Sequence, residues 1–332
     1  GAISSLLNDR DYGIRVSEKT RERVFKVCRE MGYIPNDLRA VVRMYPELGD
    51  FCLLLTARRP AGVSDPFLMR LASATMEALP DTSRALSIGC YEEKADYSDP
   101  DQLPHPVKLG VASKFLIYGG ANNSLIQVLL RRGWPVVSLG YDVPIPGVLS
   151  LVPDYEQASR CALEHLFELG HRHIAIVSGP FGSTDPQIIE LNRGVRRAFE
   201  QFHVTMDAQN IIYGDLTQQA GVTAFTGLIE RKPEPSAVFC MSDAAAAGVL
   251  TAAFSHGKRV PDELSIVGCS DDLFTHMTCP ALTTVHLPAE EIAAAGVQEI
   301  DRLMQEGPPD EARKRVFPVR LVKRQSCSEI PA

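Results

Sequence analysis

No apolar run in this 332-residue chain exceeds about eight residues, whereas a membrane helix needs roughly 18 or more. A transmembrane span is therefore excluded. Equally absent is a basic start followed by an apolar stretch and a small-residue cleavage site, so a secretory signal is not expected and a cytoplasmic location is. The chain starts at Gly1 rather than Met, and a preceding piece is expected to be missing. No Cys-x-x-Cys pair occurs among the eight cysteines, and most of these lie in apolar runs such as Phe51-Cys52-Leu53 and Phe239-Cys240-Met241. They read as small core residues in a reducing compartment. GxxxxGK[ST], HExxH, GxSxG and a strand-following GxGxxG are all lacking, which leaves an enzyme without sequence support. Neither internal repeats nor low-complexity tracts are present.

What is there divides unevenly. Residues 1–43 carry nine Lys/Arg against six Asp/Glu, leaving 25 against 35 for the rest of a chain whose net charge is -7. A basic module on an acidic body points to a polyanionic partner for the former. Within it Ala2, Ile3, Leu6 and Leu7 recur at helical spacing, and a polar loop follows from Asn8 to Val16. Ser17 is placed to cap a second helix with Val24, Val27, Cys28 and Met31 on its apolar face and Gly32 at its end. Two short helices bury too little to stand alone. A linker follows, with Pro46 and Gly49. From Phe51 short apolar runs alternate with amphipathic stretches, the pattern of βαβ units. Strands are predicted at 51–56, 84–90, 115–118, 135–139, 148–153, 173–178, 210–213, 236–241, 264–268 and 316–322. Predicted helices span 66–79, 122–132, 155–169, 186–203, 217–231, 242–256 and 289–305. Asp154 with Gln157 is a variant capping box, Asp243 is placed to start the helix after strand 236–241, and Gly170 and Gly257 end helices. Ten strands exceed one ordinary sheet, so two parallel sheets of about five strands each are predicted.

His165, His171 and His173 lie close in sequence, but no Cys or carboxylate completes a zinc-like set, which makes them structural and leaves no metal site. Asp271-Asp272 follows a buried strand, where paired acids, turn residues or groups lining a ligand crevice all fit.

Ser17-Glu-Lys-Thr-Arg-Glu-Arg-Val24, Gly32-Tyr-Ile-Pro-Asn36, Leu169-Gly-His-Arg-His-Ile174, Ser242-Asp-Ala-Ala-Ala-Ala-Gly248, Val260-Pro-Asp-Glu-Leu-Ser-Ile-Val-Gly268, Pro280-Ala-Leu-Thr-Thr-Val285 and Arg320-Leu-Val-Lys-Arg-Gln-Ser326 occur in the order found in the lac repressor (LacI/GalR) family of bacterial transcription regulators. The chain resembles that family over essentially its whole length. The resemblance implies a periplasmic-binding-protein-like α/β body of two parallel-sheet subdomains, preceded by a helix-turn-helix module truncated at its N-terminal side. Its implied domains are 1–37 for the partial DNA-binding module, 38–50 for the hinge, 51–150 with 286–317 for the first effector-binding subdomain, and 151–285 with 318–332 for the second. It implies a homodimer that binds operator DNA and is switched by a small effector, such as a carbohydrate, held between the subdomains, without a cofactor or a membrane. A solute-binding protein of a transport system is the alternative on the same body fold.

Residues carried over by the resemblance include Ser4, Ser5 and Asn8, in what is left of the recognition helix, with Ser17, Thr20, Tyr33 and Asn36 on the DNA side and Val42 as the base-step wedge. Ser5 stands where relatives often have Arg, and Val42 is shorter than the usual Leu. On the effector side the resemblance points to Asp65, Phe67, Leu191, Leu216, Ser242, Asp243, Ser270 and Asp271. Phe67 is the candidate aromatic platform. Leu191 stands where many members have Arg, and Ser270 where they usually have an acid. The effector is therefore expected to be neutral, with Asp243 and Asp271 the carboxylates able to hold it.

Overall fold

A computed structural model describes residues 17–33, 41–42, 44–45, 49–56, 65–79, 85–231 and 233–330. Helix α1 (Glu18–Glu30) starts where Ser17 accepts the Thr20 amide, and Gly32 follows it at φ +65°. Its contact face departs from the predicted one. Phe25 is buried with Met44, with Cys28 and Tyr45 packed alongside, while Val27 and Met31 are exposed. Arg29 donates to the Met44 carbonyl and Tyr45 to that of Tyr33.

The described residues form two compact units. One gathers its members from Gly1–Arg58, Ala72–Leu151 and Ala293–Lys314, the other from Arg59–Leu71, Val152–Ile292 and Arg315–Ala332. In chain order the elements of the first half are β1 (Asp50–Thr56), α2 (Pro66–Ala78), β2 (Leu86–Tyr91), α3 (His105–Leu109), β3 (Ala112–Tyr118), α4 (Asn123–Arg131), β4 (Val136–Leu139) and β5 (Val148–Pro153). There follow α5 (Tyr155–Glu168), β6 (Ile174–Ser178), α6 (Pro186–Gln201), β7 (Ile211–Tyr213), α7 (Gln218–Ile229), β8 (Ala237–Cys240), α8 (Asp243–Ser255), β9 (Ser265–Ser270), β10 (Thr283–His286), α9 (Ala289–Glu306), β11 (Arg313–Phe317) and β12 (Arg320–Val322).

Two six-stranded sheets result, ordered β11-β5-β4-β3-β1-β2 and β12-β10-β9-β8-β6-β7. The β1–β5 pairings and those among β6–β10 are parallel, and β12 runs antiparallel to β10. β3, β5, β6, β8 and β9 are buried along their whole length, as expected of parallel strands covered on both faces. The predicted strand 316–322 proves to be two: Pro318 interrupts it, and its halves join different sheets. The split gives the first sheet its sixth strand, β11, and β10, too short and polar to be predicted, brings the second to six. Asp154 accepts the Gln157 amide as predicted, but Ser242 rather than Asp243 caps α8. Cys90 and Cys279 are exposed, against the expectation of core cysteines; Cys52, Cys240 and Cys269 are buried. No helix among the described residues is long and apolar enough to cross a membrane.

Candidate functional site

The order of the second sheet reverses between β6 and β8, and open α/β sheets bind ligands beyond the strand carboxyl ends at such a point. β9, on the other side of β8, ends at the same carboxyl edge in an unusual way. Ser270 and Asp271 adopt φ of 134° and 62°, a conformation that costs a non-glycine residue on the order of 1 kcal/mol and persists only when its surroundings enforce it. The enforcing contacts are dense. Arg70, on the first turns of α2, is only 8% exposed; its Nη1 donates to the Ser270 carbonyl at 2.6 Å and its Nη2 to that of Leu287 at 3.0 Å. The same guanidinium forks onto Glu290, Nε to Oε1 at 3.0 Å and Nη2 to Oε2 at 2.8 Å. Asp271 accepts from Arg324 Nη2 at 2.6 Å and pairs with His286 Nδ1 at 3.0 Å. Those bonds outweigh burial and hold its carboxyl well below the usual carboxylate range, the His286 bond contributing most.

Beneath this turn lie two further acids. Asp243, fully buried, accepts from Thr284 Oγ1 at 2.5 Å and from the Asp272 amide at 2.8 Å. Gly268 makes room for it, since a Cβ there would lie 2.1 Å from Asp243 Oδ1. Asp272 is also buried and accepts from Ser270 Oγ at 2.6 Å. Desolvation pushes Asp243 up to about 6, and Asp272 up to about 8 with the charge of Asp243 adding to burial. Two carboxyls in so dry a place cannot both ionise cheaply, so near neutral pH the pair retains a proton.

These contacts revise several expectations. Asp243 faces protein donors, not a ligand, because both of its oxygens are engaged and no surface is left to it. Val42, expected as a wedge, is fully buried beside Gly49, since an apolar side chain packs wherever a neighbour excludes water. Leu191 is a buried residue of α6. Ser242 both caps the Ala245 amide and donates to the carbonyl of Leu216, itself at φ 59°. Asp65 accepts from the Phe67 and Leu68 amides at the start of α2, where Phe67 is buried. Ser17 and Thr20 are exposed, their hydroxyls 2.9 Å apart, and Tyr33 is exposed. Ser4, Ser5, Asn8 and Asn36 lie outside the described residues. His171 is structural as expected, bridging Ser236 and Ser265 at 2.9 Å each. Asp272 had been noted beside Asp271 with its role left open; Arg70, Thr284, His286 and Arg324 were missed. Only Arg70 carried a sequence signal, a charge on the otherwise apolar stripe Phe67, Leu71, Ala74.

Residues 163–327 match the periplasmic binding protein-like domain family. The probable HTH-type transcriptional repressor ExuR of Bacillus subtilis is 25% identical over 99% of this chain and 94% of its own length. The Escherichia coli repressor CytR is 27% identical, with 96% and 90% covered. Among solved structures, a CelR–cellobiose complex superposes with TM-score 0.71 at 25% identity, covering 97% of this chain and 94% of its own. A ribose-bound LacI family regulator from Enterococcus faecium gives TM-score 0.72 at 19% identity, with 85% and 100% covered. The chain is thus similar over nearly its whole length to HTH-type transcriptional repressors, and its two parallel sheets share the fold of LacI family regulators.

Proposed function

We propose that this protein is a cytoplasmic repressor, not an enzyme, that binds a pseudo-palindromic operator as a homodimer and is switched by a neutral sugar or sugar derivative. The supporting observation is the order of parts along the chain: a basic, Ser17-capped helix, five Lys/Arg against three Glu over residues 18–30, followed by two sheets with ligand-type carboxyl edges. In this reading residues 1–37 are the DNA-binding module and 38–50 the hinge. The exposed N-terminus of α1, with Ser17 and Thr20, meets backbone phosphate, with Tyr33 beside it. Ser4, Ser5, Asn8 and Asn36 complete the DNA side.

On the effector side, Asp271, His286 and Arg324 form a rim that reaches the surface, each side chain 15–19% exposed. An acceptor flanked by two nitrogen-bearing side chains suits neighbouring hydroxyls. Phe67, Leu216, Ser242 and Ser270 shape the surrounding wall, and Leu191 offers no charge to an anionic ligand. Fluorescence anisotropy on DNA taken upstream of the protein's own gene tests the reading, at 50 and 200 mM salt and with ribose or cellobiose added. Affinity should fall steeply with salt and shift when a sugar binds. Salt-insensitive association, or a preference for phosphorylated over neutral sugars in a thermal-shift comparison, would refute it.

A further inference from the structure

The second unit has another opening, built from residues other than those of the β9–β10 edge. β7 is the outermost strand of its sheet and only three residues long. Helix α6 therefore overhangs an edge with little strand beneath it, and a cleft of about 300 Å³ lies between α6 and strands β6 and β7. Its floor is aliphatic: Ile176, Ile188, Val195 and Ile211. At its mouth Phe181 is 81% and Tyr213 44% exposed, their rings 5.0 Å apart and nearly perpendicular. Exposing two aromatic rings and Ile189 together is costly in water unless something covers them.

The polar groups around the cleft specify what that is. Asn192 is occupied, accepting from Ser178 and donating to the Ile188 carbonyl. Ser183 accepts the Asp185 amide. Arg193, one turn from Ile189, is held by Glu190 at 2.8 Å. Arg196 also lines the cleft, and among the described residues no hydrogen bond or ion pair engages its guanidinium. An apolar slot with an edge-to-face ring pair at its mouth and a single uncommitted cation is complementary to a flat apolar body bearing one carboxylate.

We propose that this cleft binds a small aromatic monocarboxylate, its ring against Phe181 and Tyr213 and its carboxylate on Arg196. Such a ligand would modulate the protein from a position separate from the sugar site, and the inference does not depend on that site being assigned correctly.

Four isoleucines, 176, 188, 189 and 211, line the cleft, which makes methyl NMR the direct assay. The full chain is labelled at isoleucine δ1 methyls, assigned by single Ile→Val changes, and titrated with indole-3-acetate and with uncharged 3-methylindole. Saturable shifts at those four methyls are expected. Arg196→Gln should weaken indole-3-acetate about fivefold, the size of a partly exposed ion pair, and leave 3-methylindole unchanged. Phe181→Ser should weaken both, and Arg193→Gln neither. Shifts confined to other isoleucines, no saturation, or an indole-3-acetate affinity indifferent to Arg196→Gln would each overturn the proposal.

Discussion

Removing the Arg70 guanidinium should destabilise the second unit more than any other single change at the β9–β10 edge. The side chain makes two bonds to Glu290 and donates to the carbonyls of Ser270 and Leu287. Breaking a fully buried ion pair costs about 3–5 kcal/mol, and a surface pair at most about 1 kcal/mol. Here Arg70 is 8% exposed and Glu290 52%, so the pair itself falls between those limits. The two carbonyls left without donors add about 1 kcal/mol each. Arg70→Met, which retains the packing of the stem, is therefore expected to cost about 4 kcal/mol. For a unit of this size that lowers Tm by roughly 8–16 °C. Arg70→Lys keeps the charge but cannot fork, and should lose about half as much. Urea unfolding at pH 7, followed by circular dichroism, measures both. A Met variant within 1 kcal/mol of the parent, or a Lys variant equal to it, would show that the fork does not hold the Ser270–Asp271 turn.

Asp272 and His171 make opposite pH predictions. Asp272, raised to about 8 in the folded protein against ~3.9 unfolded, keeps a proton that the unfolded chain releases, so its contribution to stability declines as pH rises from about 4 through 8. Asp272→Asn should remove most of that decline, whose slope is at most about 1.4 kcal/mol per pH unit between pH 5 and 8; an unchanged slope in urea titrations counts against the buried acid pair. Burial lowers the pKa of His171, so the folded state resists a proton that the unfolded chain takes up below ~6.5. Its stabilisation is complete above that pH and shrinks as pH falls below it, and His171→Gln should flatten stability between pH 7 and 5 while lowering it at pH 7. A parent protein whose stability is level across that interval would contradict the assignment.

Helix ends were legible in the sequence because their determinants are local. Ser17 and Asp154 cap the amides three residues on, and Gly32, Gly170 and Gly257 all take positive φ as expected. The alternation of apolar runs and amphipathic stretches likewise settled the α/β class and the parallel sheets, since strands buried on both faces must be apolar throughout. The family resemblance came from motifs spread along the whole chain. The site was a different matter. Arg70 and Glu290 are 220 positions apart, and Arg324 is 53 from Asp271, so no spacing rule joins them. Nor does a sequence distinguish an acid that faces ligand from one such as Asp243, sealed under Gly268 with both oxygens engaged. Val42 shows the same limit, an apolar side chain whose exposure depends on what folds over it. Periodicity and capping act within a few residues and can be read in order along the chain; burial, ion pairing and proton affinity depend on which distant segments the sheets bring together, and only the tertiary structure decided those.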